Sequence, residues 1–194
     1  MTTHTWKEML AKASAMTAEE LTEDVLLELA EGLVIDSALL APYIQFQESG
    51  YARNVLYRDE KFEAICLCWE PGQGTMIHSH GRSFGVVCVY EGALTIDQFK
   101  RLDDGTVEGH AELAPVARLK VPAGGITLDR VGGIHRIFNR PDASRRAVSL
   151  HFYAGPLDTM ESFEPANQVV KIVPMQGEPM AYLEPGADVM AAMI

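Results

Sequence analysis

Gly72-Gln73-Gly74-Thr75-Met76-Ile77-His78-Ser79-His80, and later Gly132-Gly133-Ile134-His135-Arg136-Ile137-Phe138-Asn139, decide how this chain is read. His78 and His80 stand two apart in a segment that reads as strand. Alternate residues of a strand project from one face, so both imidazoles point the same way. That is how a β-strand presents two ligands to one metal. His135 follows a Gly-Gly pair, and glycine lets a backbone bend close to a site. The three histidines are therefore the candidate metal ligands.

Around these stretches the chain breaks into short apolar runs punctuated by glycine and proline. Strands are predicted over 51–57, 62–69, 85–90, 93–100, 118–121, 133–139, 147–153 and 169–173, separated by turn signals such as Glu70-Pro71-Gly72 and Asp103-Asp104-Gly105. Many short strands at this spacing predict a closed or double-sheet antiparallel architecture. The first forty-odd residues read as helical. Thr17-Ala18-Glu19-Glu20 fits a capping box, and Leu21, Val25, Leu29 and Leu33 follow it as one apolar stripe.

With 194 residues the chain suits one domain, divided into a helical segment (1–45), a β-barrel (50–174) and a tail (175–194) that either wraps the domain or is loose. A formal charge of −11 without a basic stripe argues against a nucleic-acid partner. No apolar run approaches the roughly 20 residues needed to span a bilayer, and residues 1–12 lack a signal-peptide core. The expectation is a cytoplasmic protein with no membrane partner. Cys66, Cys68 and Cys88 lie in apolar strand runs and read as small hydrophobes. Trp69 reads as core, Trp6 as a helix anchor, and His4 and His110 as solvent-exposed.

The run 147–153 holds a second constellation. Ser149, His151 and Tyr153 alternate with Val148, Leu150 and Phe152, so one face is polar and the other apolar. Two readings stand: an edge strand with a solvated side, or a proton-relaying chain in which Ser149 fixes the His151 tautomer and His151 contacts the Tyr153 hydroxyl.

The glycine and histidine spacings resemble the cupin superfamily. Gly72, five residues, His78-x-His80 and later Gly92 resemble its first motif. Gly124, five residues, Arg130-x-Gly132-x-x-His135-x-x-x-Asn139 resembles its second, with Arg130 where proline is usual. The fold so implied is mainly β, a jelly-roll-type barrel preceded by N-terminal helices. Gly85 stands where the first motif has a ligand glutamate, which leaves three neutral imidazoles. Such a site keeps the metal's full charge and favours an anionic donor such as a thiolate. Imidazoles suit iron, zinc, copper and nickel, so the ligands alone do not choose the metal.

Within that superfamily the sequence resembles the cysteine dioxygenase family of thiol dioxygenases, of bacterial type. The segments are Tyr51-Ala52-Arg53-Asn54, Ile65-Cys66-Leu67-Cys68-Trp69, Ile77-His78-Ser79-His80, Ile134-His135-Arg136 and Val148-Ser149-Leu150-His151-Phe152-Tyr153 through Leu157-Asp158-Thr159. The resemblance implies Fe(II) on His78, His80 and His135, and Ser149, His151 and Tyr153 as the residues supporting catalysis. It also implies Arg53 as a substrate-carboxylate clamp assisted by Tyr51, with a small thiol and O2 as partners. Animal members carry at the Gly85 position a cysteine crosslinked to the tyrosine, so Tyr153 is expected unmodified here. Arg53 favours L-cysteine as substrate. 3-Mercaptopropionate or a non-catalytic metal-binding cupin are the alternatives.

Overall fold

The computed structural model describes residues 3–175, so the predicted tail from residue 176 onward lies outside the described residues. In chain order the elements are β1 (His4–Thr5), α1 (Trp6–Ala15), α2 (Glu23–Glu31), β2 (Leu33–Val34), α3 (Ser37–Leu40), β3 (Ala52–Arg58), β4 (Phe62–Trp69), β5 (Ile77–Ser79), β6 (Phe84–Glu91), β7 (Ala93–Arg101), β8 (Leu113–Pro122), β9 (Ile126–Asp129), β10 (Ile134–Phe138), β11 (Ala147–Ala154), β12 (Thr159–Glu164) and β13 (Val169–Pro174). Two antiparallel sheets carry the fold. One runs β13-β12-β5-β10-β7-β8 and the other β3-β4-β11-β6-β9.

The period-2 pattern of the five-stranded sheet explains where everything sits. Along β4, Phe62, Ala64, Cys66 and Cys68 pack against the N-terminal helices. Ile65, Leu67 and Trp69 face the other way, joining Leu94, Ile96 and Ile137 of the six-stranded sheet inside the barrel. Strand β11 repeats the division, with Val148, Leu150 and Phe152 towards the helices. It is paired on both sides, by β4 and β6, and every residue is buried. The edge-strand reading of 147–153 is thereby overturned: its polar face points into the barrel. All three cysteines are free and buried, as expected of small hydrophobes.

Three expectations are corrected. The Thr17–Glu20 box does form, with Thr17 N–H to Glu20 Oε2 at 2.8 Å and Glu20 N–H to Thr17 Oγ1 at 3.3 Å, but it closes only a turn. The helix begins at Glu23 behind a second cap, Thr22, whose hydroxyl takes the Val25 N–H. Leu21 and Leu33 thus flank α2 and are not part of it. His4 is buried, because β1 pairs with β2 and brings its Nε2 within 2.7 Å of the Leu29 carbonyl. Strands β9 and β12 are not among the predicted runs, and β8 starts five residues before the predicted 118.

Candidate active site inside the barrel

Strands β5 and β10 pair with His78 directly opposite His135, and His80 follows immediately after β5. Cross-strand neighbours lie about 5 Å apart, so this register, with the His-x-His spacing, brings three imidazoles together. Their ligand atoms all lie within 4.8 Å of one another, and all three residues are buried. No other such group occurs among the described residues. His78 Nδ1 lies 2.9 Å from the Met76 carbonyl, which accepts its proton and leaves Nε2 free. His78 is held well below its ordinary pKa by burial and then by its neighbours His135 and His80. His135 Nε2 is buried without a partner. A buried nitrogen without a partner is costly, and a metal ion is the acceptor's natural occupant.

Behind two of these rings stands Asp129, at the end of β9 and directly opposite Gly85 of β6. Its Oδ2 lies 2.5 Å from His80 Nδ1 and its Oδ1 3.2 Å from His135 Nδ1. Burial alone would raise its pKa, but the charges and hydrogen bonds of His135 and His80 outweigh this and hold it far below the usual carboxylate range. One carboxylate thus makes close charge contacts with the outer nitrogens of two ligand histidines, which leaves both Nε2 atoms facing inward. The negative charge that Gly85 withholds from the ligand set is present one step further back. Nothing in the motif spacing singles out Asp129; the available signal was a lone carboxylate closing an apolar run before the turn into His135.

The polar face of β11 forms a continuous chain. Ser149 Oγ lies 2.8 Å from His151 Nε2, and His151 Nδ1 lies 3.1 Å from the Tyr153 hydroxyl. The Trp69 indole N–H donates to Ser149 Oγ at 3.0 Å, a contact that its reading as core packing alone missed. The indole can only donate. Ser149, which is fully buried, therefore satisfies its own proton by donating to His151 Nε2. That leaves Nδ1–H to donate to the Tyr153 oxygen, and the Tyr153 O–H free to donate inward. Burial lowers His151 to a pKa of about 3, with His80 adding to the effect. Burial raises Tyr153 well above 10, with Asp129 and Tyr51 adding. The chain is thus neutral, with its last proton on the phenol. The Tyr153 ring lies edge-on to His80, centroids 4.9 Å apart.

Gly85 is required here by space. A Cβ at this position would sit 2.4 Å from Tyr153 Cδ1 and 2.7 Å from the Phe152 carbonyl oxygen. The Tyr153 ring occupies the room that a side chain at 85 would need.

A small pocket of about 20 Å³ gathers Arg53, Tyr51, His78, His80, His151 and Tyr153, with Ile137 and Leu157 among its apolar walls. A larger cavity of about 240 Å³ is lined by His135 and Asp129 together with Val87, Ile96 and Ile137. The small pocket is where the chemically matched groups converge. Tyr51 stacks on Trp69, centroids 4.4 Å apart. Burial pushes its phenol up to about 12 against the opposing charge of Arg53. Arg53 reaches the pocket from β3 and is gripped from behind by Glu63, Nη2 to Oε1 at 2.5 Å. Sequence reasoning passed over Glu63, although one charged residue in the otherwise apolar run 62–69 was a visible signal.

The chain is similar to cysteine dioxygenase type 1 of Homo sapiens, 29 % identical over 147 residues that cover 75 % of this chain and 72 % of that protein. The Rattus norvegicus protein of the same description is 30 % identical over 125 residues, covering 64 % and 60 % respectively. Among solved structures, the TT1209 protein from Thermus thermophilus superposes with a TM-score of 0.48 and 16 % identity over 60 % of this chain and 93 % of that one. The family model for cysteine dioxygenase type I matches residues 5–166, from the start of α1 to beyond β12. On a match of that extent, the chain belongs to the cysteine dioxygenase type I family.

Proposed function

We propose that this chain is a cytoplasmic, Fe(II)-dependent thiol dioxygenase that converts L-cysteine and dioxygen to cysteine sulfinic acid. The observation that carries the reading is the meeting, around one buried pocket, of His78 and His80 of the three-imidazole cluster, the Arg53 guanidinium and the Tyr153 phenol held by His151. His78, His80 and His135 would hold the metal, and their inward nitrogens fit it. Iron bound there supplies the redox chemistry by which both oxygen atoms pass to sulfur. Thiolate plus dioxygen gives sulfinate, so the reaction balances without a further reductant.

The protein's part is placement. Arg53 offers paired N–H donors to the substrate carboxylate, a geometry that a guanidinium matches well. Fixing the far end of a three-carbon thiol sets the direction of its sulfur before reaction. Tyr153 donates a hydrogen bond into the site, and His151 and Ser149 hold that proton's direction. Leu157, Ile65, Leu67 and Ile137 line the remaining wall and exclude water. Among the described residues no helix is long and apolar enough to cross a membrane.

One observation supports a second substrate. Among the described residues no carboxylate lines the pocket to receive an ammonium group, so 3-mercaptopropionate satisfies Arg53 as well as cysteine does. The test is anaerobic loading with Fe(II), then oxygen uptake with cysteine, 3-mercaptopropionate, cysteamine and mercaptosuccinate. Uptake greatest with cysteine supports the full reading. Uptake greatest with another thiol keeps the reaction and replaces the substrate. No uptake despite bound iron leaves a metal-binding cupin without this activity.

A further inference from the structure

Behind the pocket lies a carboxylate that the reaction does not require. Glu63 is fully buried on β4, in register with Tyr153 on one side and Arg58 on the other. Its Oε1 accepts from Arg53 Nη2 at 2.5 Å and from Arg58 Nη1 at 3.2 Å, and its Oε2 accepts from the Leu157 N–H at 3.2 Å. Arg58 also reaches Asp158, the residue after Leu157. Arg53 Nε remains buried without a partner, although Arg53 and Leu157 both line the pocket.

We infer that Glu63 is a positioning residue of the substrate pocket, holding Arg53 aimed at a ligand carboxylate. The inference rests on Arg53 acting as the carboxylate clamp. A long arginine side chain loses much rotamer freedom when immobilised. Here the salt bridge to Glu63 meets that cost during folding, so a ligand finds a donor already in place. Only an acceptor-only group suits all three donors. A glutamine would turn an N–H against either the guanidinia or the Leu157 amide. Because Glu63 acts through Arg53, its influence is confined to thiols that carry a carboxylate.

The experiment is calorimetric titration of the Fe(II)-loaded protein under argon with cysteine, 3-mercaptopropionate and cysteamine. Glu63→Gln and Glu63→Asp are expected to weaken the two carboxylate thiols roughly tenfold or more, and cysteamine by less than about twofold. Equal weakening of all three thiols would mean that Glu63 merely supports the fold, and unchanged affinities would mean that it does not position Arg53. Either result overturns the inference. Arg53→Ala, measured alongside, separates the two levels. If it weakens carboxylate thiols while the Glu63 variants do not, only the role of Glu63 fails. If it too changes nothing, the clamp fails. Should the Glu63 variants not fold, the wild type still decides. Its Arg53 Nε–H resonance, identified by its loss in Arg53→Lys, should be protected from solvent exchange before any thiol is added. A freely exchanging signal that becomes protected only on binding would contradict prior positioning.

Discussion

Asp129→Asn is the perturbation that separates a coincidental carboxylate from one that builds the metal site. The aspartate faces two ring nitrogens at once, His80 Nδ1 at 2.5 Å and His135 Nδ1 at 3.2 Å. An asparagine of the same shape keeps one acceptor and turns an amide N–H against the other histidine. One ligand ring then loses a close contact with a charged carboxylate, about 1.5–3 kcal/mol on the scale of charge-assisted contacts, and is free to rotate or change tautomer. Converted to affinity this is about ten- to hundredfold in metal dissociation constant, the range usual when such outer partners of ligand histidines are removed. The loss should be larger for Asp129→Ala, which strands both rings. The assay is competition against a chelator for Fe(II) under argon, with near-ultraviolet circular dichroism to confirm an intact core. A metal affinity within about twofold of wild type in Asp129→Asn would refute the reasoning, because the two close contacts would then orient nothing.

Other outcomes follow from the same geometry. Gly85→Ala should lower stability by about 1–3 kcal/mol through overpacking against Tyr153, and turnover with it; denaturant unfolding and oxygen uptake at wild-type levels would contradict the close approach. Trp69→Phe removes the donor that orients Ser149. It should cost about 1 kcal/mol of stability and lower kcat with little change in KM, whereas unchanged turnover would show that the indole does not set the chain's direction. For the metal-free protein, His151 and His78 are neutral when folded but take up protons in the unfolded chain below about pH 6.5. The unfolded state then binds more protons, so stability falls as pH falls from about 6.5 towards 3 and is fully present above that window. A melting temperature that stays flat down to pH 4 would be inconsistent with their burial.

The sequence was most legible where local pattern and tertiary position coincide. The run 62–69 matches β4 end for end, because a strand buried on both faces is a continuous apolar run whatever surrounds it. The three histidines were legible because strand periodicity and one cross-strand pair suffice to bring them together. Strand β11 marks the boundary. Its alternation announced one polar face, but whether that face met water or the barrel interior depended on β4 and β6 flanking it. Asp129 and Glu63 lie beyond that boundary, since each acts on residues supplied by other strands. At Thr17 the local signal competed with a second cap at Thr22, backed by Glu23 and Asp24 in the first turn, and the later cap began the helix. Glu23 also accepts from Arg130 Nη1 at 2.6 Å and from the Val131 N–H at 3.1 Å. The helix start is thus tied to the turn where the second motif departs from proline.

The most direct test of the central claim is turnover of the Fe(II)-loaded protein with L-cysteine under ¹⁸O₂, with the product weighed by mass spectrometry. The account requires cysteine sulfinic acid carrying both labelled oxygens. Sulfinate carrying a single label, or disulfide as the only product, would contradict dioxygenation at this site.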